Sequence, residues 1–156
     1  MKHVIFDCDG TLIDTSGPKY KIFPGILELL EKHQHECLYY VWTARGRAST
    51  LKLLKENGIL HFFEGISTPD EGLQKPNPEA LKLLVGPIEK DSACLIGDSS
   101  VDMIGAKFFK ILAIGAHWST EANKESLKQG GADFLVSDPL ECSKLIEFNL
   151  KGEIHV

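Results

Sequence analysis

A chain of 156 residues, 43% hydrophobic and 25% charged, has the composition of one globular domain able to bury about two-thirds of its unfolded surface. Against 22 Asp and Glu stand 17 Lys and Arg, a net charge of -5 without a basic run, which argues against nucleic acid as a partner. The chain opens into an apolar strand rather than a basic-then-apolar leader, and no apolar run approaches the ~20 residues that cross a bilayer, so a cytoplasmic protein with no membrane partner is expected.

Six short apolar runs recur, at 4–6, 37–42, 62–66, 93–96, 111–114 and 132–136. The segments between them have helical period. After Pro24-Gly25, Ile26, Leu27, Leu29 and Leu30 alternate with Glu28, Glu31 and Lys32, an amphipathic helix. A second helix is predicted over 48–57, presenting Leu51 and Leu54 and stopping at Gly58. The third runs over 78–85, with Asn77 as cap, Pro78 in the first turn and Gly86 behind it. The fourth is expected over 100–109, with Asp102 in its first turn. Ser119 or Thr120 is the expected cap of a fifth helix ending at Gly130-Gly131. Asp138, Pro139 and Glu141 signal a sixth, carrying Leu145, Ile146 and Phe148. Apolar strands alternating with helices predict an α/β fold: a doubly wound, Rossmann-like parallel sheet with helices on both faces, formed as one domain over 1–156.

The four cysteines, Cys8, Cys37, Cys94 and Cys142, are widely separated, with no Cys-x-x-Cys and no cluster spaced for zinc. Cys8 lies between two acids, whose charge weakens a thiol as a nucleophile. His33 and His35 diverge on a helix and read as surface residues.

The stretch DCDGTLID, Asp7 to Asp14, follows the first apolar run and so sits at a strand tip. Residues two apart in a strand point to one side, so Asp7 and Asp9 can converge while Gly10 lets the backbone turn. Carboxylates this close need a screening cation or a retained proton. Asp98 and Asp102 form a second acidic pair at the end of another strand. Thr43 ends the strand over 37–42, and Lys75 precedes the third helix. In an open parallel sheet, ligands bind beyond the carboxyl ends of the strands, which is where these residues fall.

Carboxylates without a cysteine or histidine cluster suit magnesium better than zinc. With it, Thr43 and Lys75 are the groups needed to cradle a phosphoryl group. A strand-tip carboxylate, assigned to Asp7, can attack phosphorus. Asp9 is placed to protonate a leaving alkoxide and later to deprotonate water.

DCDGTLID, Thr43 in VWTARGR, Lys75 in QKPNPE and GDSSVD from Gly97 to Asp102 resemble, in order, the four motifs of the haloacid dehalogenase-like hydrolase superfamily. The resemblance implies Asp7 as nucleophile and Asp9 as general acid/base whose backbone carbonyl also binds magnesium. It implies phosphate binding by Thr43, with its neighbour Ala44, and by Lys75. Asp98 is implied as a magnesium ligand alongside Asp7 and Asp9, and Asp102 as its support. Asp9 favours a phosphate substrate, since the dehalogenating members lack the second aspartate. With no room for a covering domain after Leu12 or between Ser67 and Lys75, the chain resembles a capless member, with a small or larger phosphorylated substrate and possible homo-oligomerisation closing the site.

Phe108-Phe109-Lys110 departs from the Ala-Gly often found after the last motif's helix. Arg45 and Arg47 are candidates for touching an anionic remainder of the substrate, although exposed loop arginines are ordinarily just solvated. Trp118 resembles a family loop residue but can also simply pack. The rival readings are a receiver-like module that accepts a phosphoryl group on an aspartate, and an inactive scaffold of the same fold.

Overall fold

The computed structural model describes residues 1–150, with side chains as far as 148; residues 151–156 of the expected domain lie outside them. The first strand, β1 (Lys2–Phe6), lies in the middle of a six-stranded parallel sheet with β4 (Cys37–Trp42), β5 (Phe63–Ser67), β6 (Ala93–Gly97), β7 (Leu112–Ala116) and β8 (Phe134–Val136), in the order β5-β4-β1-β6-β7-β8. The chain first winds outward from β1 through β4 to β5, then returns to β6 on the other side of β1. The winding therefore reverses between β1 and β6.

Buried on both faces, the strands sort their side chains by the alternation of the pleat. Val4, Phe6, Tyr39, Val41, Ile96 and Ile114 pack with α1 (Ile26–His33), α2 (Arg47–Glu56) and α6 (Pro139–Leu150). Ile5, Tyr40, Trp42, Leu95 and Ala113 pack on the opposite face with α3 (Pro78–Val85), α4 (Ser100–Phe109) and α5 (Lys124–Gly130). This is the doubly wound α/β architecture expected.

Several element ends depart from expectation, each because a flanking residue closes a neighbouring turn. Ile111 donates to the Ala106 carbonyl (3.0 Å) and Ala132 to that of Leu127 (3.0 Å), so both finish helices instead of starting β7 and β8. Phe62 closes a 3-10 turn on Ile59, leaving Phe63 to begin β5. The fifth helix is not capped by Ser119 or Thr120. Ser119 accepts from Glu121 N within a turn, and Asn123, accepting from Ser126 N at 3.0 Å, starts α5 instead. Asn77 and Asp138 do cap α3 and α6.

His33 is a further correction: it is buried, its Nε2 2.8 Å from Ser143 Oγ of α6, while His35 is exposed. Two residues apart they diverge as expected, but the diverging face of His33 meets another helix. α4 ends at Phe109, with Lys110 taking the left-handed conformation usually left to glycine (φ 65°). All four cysteines are buried and free.

The segment between Leu12 and α1 holds only an antiparallel pair, β2 (Ile13–Asp14) and β3 (Lys21–Ile22), which sequence periodicity did not single out. Asn57 fastens this hairpin, accepting from Ile22 N (3.0 Å) and donating to the Tyr20 carbonyl (3.3 Å). Between β5 and α3 stands a 3-10 turn, Pro69–Glu71. No inserted domain occupies either place among the described residues. No helix among them is long and apolar enough to cross a membrane.

Candidate active site

Asp7 is the first residue beyond β1, its backbone N–H still bonded to the Ile96 carbonyl of β6 (2.9 Å). Its side chain is buried at the point where the winding reverses. Gly10 then turns the chain with φ 80°; a Cβ there would fall on the Asp98 carboxylate, so both conformation and space require glycine. Asp98 follows β6, and Thr11 Oγ1 donates to its Oδ1 (3.3 Å). Asp102, in the first turn of α4, is fully buried and accepts from Ser99 N (3.3 Å) and Oγ (2.9 Å).

Asp7, Asp98 and Asp102 each offer an oxygen within 4.8 Å of the others. One ammonium stands among them. Lys75 Nζ donates to Asp7 Oδ1 (2.9 Å) and Asp102 Oδ1 (2.5 Å) and lies 5.1 Å from the centre of the Trp42 ring, its side chain only 6% exposed. Burial works to strip this lysine of its proton, but Asp102 and Asp7 outweigh it and hold the ammonium above its ordinary value.

One cation does not balance three acids. Burial pushes the Asp7 carboxyl up to about 7 against the pull of Lys75, with Asp98 reinforcing the rise. Burial also raises Asp102 to about 6, with the charge of Asp7 adding to it. Asp98 is raised as well, again mainly by burial. The cluster must keep a proton or gain a cation. Its donors are all hard oxygens, and among the described residues no sulfur or imidazole nitrogen joins the group, so it fits magnesium.

Asp7, Asp9, Thr43, Ala44, Arg45, Lys75, Ser99 and Val101 line a cleft of about 370 Å³. The seven residues expected to serve catalysis, phosphate or metal thus fall in this cleft or in the acidic cluster that shares Asp7 with it. Asp9 lies in the cleft, but its carboxylate stands apart from the cluster. Arg45 holds it bidentately, Nε to Oδ1 at 2.9 Å and Nη2 to Oδ2 at 2.6 Å. Thr43 is buried after β4 and accepts from Arg45 N through Oγ1 (3.0 Å).

The remaining candidates separate cleanly. Arg47 is tied to Glu71 and to the Ile66 carbonyl (2.6 Å), so it braces the 3-10 turn. Trp118 donates Nε1 to the Thr11 carbonyl (3.0 Å) and meets Phe23 edge-on, which makes it a packing residue. Cys8 is buried, its thiol raised by burial and then by Asp9 and Asp7, and it is inert. Thr11, Ser99 and Trp42 were not singled out from sequence. A hydroxyl within each acidic motif, Thr11 in DCDGTLID and Ser99 in GDSSVD, was the available signal for the first two; nothing local marked Trp42.

Residues 16–116, more than half of the chain and including Thr43, Lys75, Asp98 and Asp102, match the family model of haloacid dehalogenase-like hydrolases. The chain belongs to that family.

Among solved structures, this hydrolase is similar to a predicted phosphatase from Clostridium acetobutylicum. They share 19% identity over 94% of this chain and 98% of the other, with a TM-score of 0.83. It is similar to a predicted phosphoglycolate phosphatase from Haemophilus somnus, at 16% identity, 92% and 97% coverage and a TM-score of 0.82. A haloacid dehalogenase-like family hydrolase from Streptococcus pneumoniae shares 19% identity, with 93% and 98% coverage and a TM-score of 0.78. At these identities the likeness establishes a common fold. No curated protein sequence matches the chain.

Proposed function

We propose that this hydrolase is a magnesium-dependent phosphomonoesterase that works through an aspartyl-phosphate on Asp7. The observation that carries the reading is the cluster of Asp7, Asp98 and Asp102, two of them paired with the buried Lys75, beside an open cleft that Asp7 and Lys75 line. Asp7, Asp98 and the backbone carbonyl of Asp9 would hold the ion, with Asp102 beside them. A bound magnesium ion supplies charge neutralisation on the phosphoryl oxygens.

Lys75 and the Thr43 hydroxyl, with the exposed backbone at Ala44, receive the phosphate oxygens. An Asp7 oxygen attacks phosphorus, the bond from phosphorus to the alcohol oxygen breaks, and Asp9 gives its proton to that oxygen. Asp9, now a base, takes a proton from water. The water oxygen attacks phosphorus, the bond to Asp7 breaks, and inorganic phosphate leaves. Asp102 keeps Lys75 aimed at this centre, and Trp42 walls it from behind.

The test is phosphate release from phosphomonoesters over many turnovers with magnesium present. An enzyme continues, whereas a receiver-like module stops near one equivalent and an inactive scaffold releases none. Asp7→Asn is expected to abolish turnover while the protein stays folded, and substantial remaining activity refutes the assigned nucleophile. Asp9→Asn is expected to slow alkyl phosphates far more than nitrophenyl phosphate, whose good leaving group needs little acid. Equal losses remove Asp9 from that role.

A further inference from the structure

Arg45 is held from three directions. Nε and Nη2 bind the two oxygens of Asp9, Nη1 donates to Ser49 Oγ of α2 (2.8 Å), and the guanidinium carbon lies 5.5 Å from the centre of the Tyr20 ring. Tyr20 precedes β3, and Asn57 fastens its carbonyl. Ser49 and Tyr20 would keep Arg45 in place if Asp9 moved. The result is a planar fork aimed into the cleft, the geometry that best receives a carboxylate or a phosphate.

That fork holds the proposed general acid by both oxygens. An acid delivering a proton to a leaving group needs one oxygen free to carry it there, so at least one contact with Arg45 must open during the reaction. The pair is partly exposed, 22% on the arginine and 39% on the aspartate, and a pair in that setting exchanges readily. A competing anion leaves the arginine paired throughout, whereas release without one strands its charge at the cleft wall.

We infer that Arg45 is the receptor for a second anionic group of the substrate, carried on the alcohol portion. The substrate class is therefore phosphomonoesters whose alcohol bears a carboxylate or another phosphate. The inference rests on the phosphomonoesterase reading. Arg45 acts as a specificity residue, and binding of that anion frees Asp9 for the leaving oxygen. Thr43, Ala44 and Lys75 receive the transferred phosphoryl group itself, so Arg45 remains for the other end of the molecule.

The experiment compares kcat/KM for a series of ω-carboxyalkyl phosphates and alkanediol bisphosphates with the matching alkyl phosphates, in the wild type and in Arg45→Gln and Arg45→Lys. The wild type is expected to favour the carboxylated member of at least one pair by about tenfold or more, the scale of one charge-assisted contact. Arg45→Gln is expected to bring that ratio to about one, and Arg45→Lys to retain part of it. The ω-hydroxy carboxylate should inhibit the wild type competitively and the plain alcohol should not, which needs no variant. No preference for either carboxylated or bisphosphorylated esters overturns the inference and leaves the phosphomonoesterase reading standing. So does a preference that survives in Arg45→Gln, or a uniform rise in KM for every ester with the ratio unchanged, which would place Arg45 on the transferred phosphate. Failure to turn over any phosphomonoester overturns both readings.

Discussion

The acidic cluster has a measurable consequence for stability. A carboxyl raised in the folded protein keeps its proton at pH values where the unfolded chain has lost it, so stability falls as pH rises between the two values. For Asp7 the window runs from its ordinary 3.8 to about 7, which corresponds to about 4 kcal/mol against the ionised form. Asp102, raised to about 6, acts in the same direction. Because both sit on Lys75 and on each other, their contributions overlap, and about 4 kcal/mol for the whole site is the working figure. For a chain of this length that is roughly 10 °C in Tm. On the reading proposed above, magnesium would bind the ionised carboxylates and oppose the loss. Thermal unfolding is therefore to be followed from pH 5 to pH 8 with a chelator and with excess magnesium. The two curves should nearly meet at pH 5 and separate by several degrees at pH 8. Asp7→Asn, which cannot ionise, should flatten the chelator curve and narrow the gap. His33 works in the opposite sense, since burial lowers its pKa, but it is common to both proteins and drops out of the comparison. A gap between metal and chelator that is the same at pH 5 and pH 8 refutes the reasoning, as does an Asp7→Asn protein with an unaltered slope.

Gly105 of α4 lies under the Trp42 ring, and a Cβ there would enter it; Gly105→Ala is expected to cost about 1–3 kcal/mol in urea unfolding and to lower kcat by displacing the wall behind Lys75. An unchanged midpoint would show that Trp42 moves aside freely. Lys110→Gly relieves the left-handed residue that ends α4 and should stabilise by about 0.5–1 kcal/mol, read as a higher urea midpoint with activity unaltered.

The strands could be read from sequence because strands buried on both faces are nearly continuous apolar runs, and Gly, Pro and Asn punctuate the helices between them. What escaped was decided by partners far along the chain. Nothing near His33 announces Ser143, 110 residues later. Nothing near Ile111 shows that its N–H closes α4 instead of opening β7. The β2–β3 hairpin has two residues per strand, too few for any period, and depends on Asn57 of the next connection.

The site divides in the same way. Four acids at two strand ends were visible, but which acid each cation would serve was not. The fold sends Arg45 to Asp9 and Lys75 to Asp7 and Asp102. Asp9 is then matched by its own cation, while among the described residues the cluster of Asp7, Asp98 and Asp102 has one lysine, which binds Asp7 and Asp102. The proposed nucleophile is left in a cluster that, fully ionised, carries two charges too many for its surroundings, and that excess is what a divalent ion of matching charge would neutralise. The proposed acid, Asp9, is left under an arginine that must let go for it to deliver a proton. The same unequal sharing of two cations among four carboxylates thus underlies both proposals, a metal at Asp7 and a competing anion for Asp9.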